Sequence, residues 1–153
     1  MRVFFLLWVW TVSAWAGELL MLGEDGRVRC AEEAPEEMKR VVAAANALVG
    51  KGYKWGGGHA ECEDEGYDCS GAVSFVLREA GLMEGARSSR GFFDFGEEGE
   101  GVWLTIWVRK GHVFLEVGGL RFDTLGQDAE DGPRWFGKGR ELKRFEARSL
   151  EGR

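Results

Sequence analysis

The chain has 153 residues, 44% of them hydrophobic and 30% charged, which suits one globular domain and leaves no room for a second of comparable size. Twenty basic against 26 acidic side chains leave a formal charge of −6, so the cationic footprint of a nucleic-acid binder is missing. Twenty-four glycines with two prolines and seven tryptophans exclude a disordered or collagen-like chain and point to tight turns around an aromatic-rich core.

Met1-Arg2 is a short positive end, Val3 to Trp10 an apolar stretch, and Ala14-Trp15-Ala16 has the small-residue spacing that a signal peptidase accepts. Residues 1–16 therefore read as a secretory signal, with a buried N-terminal strand or an uncleaved anchor as alternatives. The apolar run is too short for a helix across a hydrocarbon layer of ~30 Å, so no stable membrane insertion is expected. Export would place the three cysteines in a compartment that permits disulfides, in the periplasm or at the cell wall or outside it. Residues 17–153 form the remaining single domain.

Pro35 opens a first helix with Glu36 and Glu37 in its first turn, and Met38, Val41, Val42, Ala45 and Leu48 make its apolar stripe. Gly50 and Gly52 end it, ahead of the loop Tyr53-Lys54-Trp55-Gly56-Gly57-Gly58. Asp68 is a good N-cap for a second helix from Cys69 to Ala80, with Val73, Val76, Leu77 and Ala80 facing the core. Residues 83–101 lack a clean period and read as a long loop with room for one short helix. From Val102 the period becomes two. Lys110-Gly111 and Gly118-Gly119 are two-residue turns, predicting an antiparallel meander of Val102–Arg109, His112–Val117 and Leu120–Thr124. Lys143 to Arg148 is expected as an edge strand. The fold class is α+β, with N-terminal helices packed on an antiparallel sheet.

A thiolate is the nucleophilic form of cysteine, and a helix N-terminus stabilises it through unpaired N–H groups and the positive end of the dipole. Cys69 is placed for this, although small buried core cysteines are common. Of the two histidines, His112 opens a strand just after a turn, where a side chain can emerge at the sheet's end as a general base. A Gly118-Gly119 hairpin makes facing residue numbers sum to 237, which sets His112 and Asp123 on one face as diagonal neighbours. A carboxylate there can orient the imidazole. Asp123 could instead pair with Arg121 or Lys110 in solvent.

The segments Tyr53-Lys54-Trp55-Gly56-Gly57, Gly66-Tyr67-Asp68-Cys69-Ser70-Gly71 and Gly111-His112-Val113 together resemble the NlpC family of papain-like cell-wall cysteine endopeptidases over residues 36–125. The resemblance implies the papain-like fold, Cys69 as nucleophile, His112 as base, and the polar residue of the next strand, here Asp123, as orienter. Most family members carry a histidine at that third position. It also implies that Tyr53 helps stabilise the oxyanion and that Asp68 and Ser70 contact substrate. The substrate class it implies is peptidoglycan stem peptides, cut between D-glutamate and the diamino acid. The chain is expected to act as a monomer and without a cofactor. Trp55, Trp107 and Phe114 are candidate cleft walls, or simply packing aromatics.

Cys30 and Cys62 remain, and the economical arrangement in an oxidising compartment is a disulfide between them. A Cys62–Cys69 pairing would instead block the nucleophile. Three other functions stay open: a metal site from His59, Cys62, Cys69 and His112, a catalytically silent cell-wall binding module, and an amidase or transacylase on the same scaffold.

Overall fold

The first helix α1 (Glu36–Leu48) and the second, α2 (Cys69–Glu79), pack together over a six-stranded antiparallel sheet in the computed structural model, which describes residues 19–60 and 63–153. The secretory signal expected at residues 1–16 and Cys62 lie outside the described residues. No described helix is long and apolar enough to cross a membrane.

In chain order the strands are β1 (Leu20–Leu22), β2 (Val28–Cys30), β3 (Glu97–Glu98), β4 (Leu104–Arg109), β5 (His112–Val117), β6 (Leu120–Asp123), β7 (Arg134–Phe136) and β8 (Glu146–Ser149). β1 and β2 form a separate hairpin, and the large sheet runs β3-β8-β4-β5-β6-β7. The α+β class and the two helices agree with expectation, and Asp68 caps α2 by accepting from the Gly71 N–H. Helix α1 buries Met38, Val41, Val42, Ala45 and Leu48, the expected stripe. Helix α2 is buried from Ser70 to Leu77 because α1 covers one side and β5 the other.

The β5–β6 register is Leu115↔Phe122, Glu116↔Arg121 and Val117↔Leu120. This is the predicted sum of 237. Gly118 and Gly119 both have positive φ, of 54° and 83°, as a two-residue turn matching the strand twist requires. Val113, Leu115 and Val117 join the core with the helices, so alternation puts His112 and Phe114 in the other set.

Two strand expectations are corrected. Strand β4 begins at Leu104, and from Leu104 to Val108 every residue is buried, because a central strand covered on both faces shows no in–out alternation of burial. The C-terminal strand β8 is not an edge: it pairs with β4 on one side and β3 on the other. The β1–β2 hairpin was not foreseen. Asn46 of α1 clips it in place, exchanging hydrogen bonds with the Val28 backbone at 3.0 and 2.8 Å while accepting from Trp135 Nε1 at 3.0 Å.

Candidate active site

The start of α2 is held by one carboxylate. Asp68 Oδ1 accepts from the Gly71 N–H at 2.7 Å and the Ser70 hydroxyl at 3.1 Å, while Oδ2 accepts from the Gly56 N–H at 3.0 Å. His59 Nε2 stands 3.1 Å from the same Oδ1 and 3.2 Å from Ser70 Oγ. Cys69 is thus the first helical residue, beside N–H groups that no helical carbonyl satisfies. The glycine loop lies directly against this helix end. A Cβ on Gly71 would overlap the Gly57 carbonyl, and one on Gly58, whose φ is +84°, would overlap Tyr67 and the Gly71 backbone. That close approach carries Tyr53 to the cleft beside Cys69.

The acidic segment between the glycine loop and α2 is clipped by Asp64. Its carboxylate takes Lys54 Nζ at 2.7 Å and the Gly58 N–H at 3.3 Å, while its own N–H donates to the Tyr67 hydroxyl at 2.9 Å. Lys54 and the backbone N–H groups of Gly58 and Glu65 bring the Asp64 carboxyl pKa down to about 2.

His112 meets this helix end from the start of β5. Its Nε2 lies 2.7 Å from Asp123 Oδ1, which leaves Nδ1 as the nitrogen available to the thiol. The Asp123 side chain is fully buried, and its Oδ2 accepts from Arg140 at 2.7 Å and sits 3.5 Å from Arg121. Asp123 is therefore neither exposed nor paired with arginine alone; one carboxylate serves the imidazole and two guanidinium groups. Burial pulls the His112 pKa down, but hydrogen bonds to Asp123 and Cys69 and their negative charge outweigh it, raising the imidazole from 6.5 to about 9. Phe114 and Phe145 flank the ring at centroid distances of 6.4 and 6.2 Å.

Tyr53, Trp55, Asp68, Cys69, Ser70 and His112 come together around a cleft of about 430 Å³, with Asp123 behind the imidazole. Trp55 is 79% exposed at its rim. Trp107 and Phe114 do not wall the cleft: both are buried, Phe114 supporting His112 from behind. Burial, and the nearby Cys69 and Asp68, push the Tyr53 hydroxyl upward, so it stays a hydrogen-bond donor at neutral pH.

Several residues of the site escaped the sequence reading. Ser88 and Ser89 line the cleft, held there because the buried Ser74 of α2 donates to the Arg87 carbonyl and accepts from its N–H at 3.2 and 3.0 Å. Arg109, Thr124 and Gln127 also line it. Arg140, from an irregular segment, reaches Asp123 and comes within 3.2 Å of His112 Nε2.

Cys30 lies on β2, and no disulfide joins described residues; the proposed Cys30–Cys62 and Cys62–Cys69 pairings both involve a residue outside them. Among the described residues no group of three histidine, cysteine or acidic side chains converges as a metal site. No family model matches the chain, and no curated protein is significantly similar to it.

Proposed function

We propose that this chain is an exported cysteine peptidase of the NlpC type, with that family's papain-like fold, hydrolysing an amide bond in peptidoglycan stem peptides between D-glutamate and the diamino acid. The observation that carries the reading is the convergence of Cys69, at the start of α2, with the His112–Asp123 pair at one cleft. The substrate class and the export to the cell wall rest on the motif resemblance and on residues 1–16.

The chemistry is acyl transfer in two halves. Cys69 Sγ attacks the carbonyl carbon, and the electron pair moves onto the carbonyl oxygen, where the Cys69 N–H and the Tyr53 hydroxyl receive it. His112, charged below about pH 9, gives its Nδ1 proton to the leaving amine as the C–N bond breaks. The neutral imidazole then takes a proton from water, whose oxygen attacks the thioester, and Cys69 departs as thiolate. Asp123 holds the ring's other nitrogen throughout.

The test is incubation of the protein with purified muropeptides under mild reductant, with products read by mass spectrometry. The reading expects two peptide fragments whose masses sum to substrate plus water. Transfer to an added amine in place of water would make the protein a transacylase, and recovery of intact muropeptides would overturn the peptidase reading.

A further inference from the structure

Behind the catalytic cleft lies a second hollow of about 280 Å³, and it shares Arg109 and Leu125 with the cleft. Its lining is mainly cationic: the half-buried Arg109, Arg121 and Arg140, with Lys143 and Glu141 both at exposed positions. Four cations gathered in one depression of a chain whose formal charge is −6 repel one another unless something offsets them. The Asp123 carboxylate is shared by Arg121 and Arg140 and is already engaged with His112. Among the described residues no carboxylate pairs with Arg109 or Lys143, and the buried Nε–H groups of Arg109 and Arg121 have no hydrogen-bond partner.

These guanidinium groups are also held in place. Arg109 lies over Phe145 at 5.1 Å, Arg121 over Phe136 at 4.0 Å, and Arg140 over Phe114 and Phe145 at 5.6 and 5.4 Å from the ring centroids. Stacking on an aromatic face leaves the in-plane N–H groups free and reduces the ordering cost of binding. Planar donors fixed in this way suit a group with two or three equivalent oxygens.

We propose that this hollow is an anion subsite joined to the catalytic cleft, which takes a carboxylate or a phosphate carried by the ligand. In naming that ligand as the substrate, the inference rests on the hydrolase reading. The bound anion would supply the acceptor oxygens that the Arg109 and Arg121 guanidinium groups lack, with Lys143 adding charge at the rim, and would offset the charge crowded around Asp123. Because Arg140 touches both Asp123 and His112, occupancy of the hollow is felt at the catalytic pair. The site would thereby favour substrates with an acidic group near the scissile amide.

The experiment titrates the full chain with acetate and, separately, with inorganic phosphate at constant ionic strength set with chloride, following the arginine Nε–H signals by NMR. Saturable shifts at Arg109 and Arg121 are expected, and the tighter of the two probes identifies the oxygen group. Arg109→Gln with Lys143→Gln should weaken binding by about ten-fold or more, while Arg109→Lys with Lys143 intact keeps most of it. Shifts that do not saturate, that chloride reproduces, or that survive the double substitution unchanged would overturn the subsite. Muropeptide cleavage assayed on the same preparation separates the two ideas. Cleavage without anion binding removes the subsite and leaves the hydrolase, whereas anion binding without cleavage removes the hydrolase and leaves the subsite.

Discussion

Asp123 Oδ1 lies 2.7 Å from His112 Nε2, and Arg140 occupies the other oxygen of the same carboxylate at 2.7 Å. The acid that orients the imidazole is thus itself oriented, by a cation that also stands 3.2 Å from the imidazole nitrogen. Asp123 and Arg140 act on the His112 proton with opposite sign, the carboxylate holding it and the guanidinium opposing it.

That opposition predicts a pH signature. His112 is raised from 6.5 to about 9, so its imidazolium is present below about 9 and activity should fall above that value. The same shift makes His112 a source of stability that is complete below pH 6.5 and lost as pH rises through about 9. Asp123→Asn should move the alkaline limb down and lower kcat/KM by about 100-fold, less than loss of Cys69 or His112 would. Arg140→Gln should move the limb up. Rate profiles between pH 5 and 10 check this, and equal limbs in all three proteins would separate His112 from the titration.

Tyr53 stands at the cleft with its hydroxyl pushed upward by burial and by the nearby Cys69 and Asp68. Tyr53→Phe should cut kcat by about 100-fold, in the range of losing one oxyanion donor, with KM almost unchanged. Steady-state kinetics separate the two constants. A rise in KM with kcat intact would make Tyr53 a substrate-binding residue instead.

The glycine loop and α2 meet with no space between them. A methyl group on Gly71 would overlap the Gly57 carbonyl, which is backbone and cannot swing aside, whereas one on Gly139 meets nothing within 4 Å. Gly71→Ala should therefore cost about 1–3 kcal/mol of stability and depress activity by moving Cys69 away from Tyr53. Gly139→Ala should stay within about 0.5 kcal/mol of the parent. Thermal unfolding of the two variants tests the contrast.

What the sequence disclosed was mostly local. Asp68 followed by an apolar period of 3.6 marked the start of α2, and the Gly118-Gly119 turn set the register that puts His112 and Asp123 in the same set. Contacts closed over long stretches of chain left no such trace. Arg140 lies 17 residues beyond Asp123 in a segment without a period, and β8 pairs with β4 across some 40 residues. The serine pair at the cleft depends on the buried Ser74 hydroxyl, which holds Arg87 across 13 residues of chain. Trp107 and Phe114 prove to be packing aromatics, a choice the sequence left open because alternation assigns a side chain to a face but does not say what covers that face.

The most direct measurement is the intact mass of the protein quenched in acid milliseconds to seconds after mixing with a muropeptide. The account predicts a transient mass increase equal to the acyl fragment, mapped to Cys69, and its absence in Cys69→Ala together with the loss of all product. Release of the same fragments by Cys69→Ala at the parent's rate would contradict it.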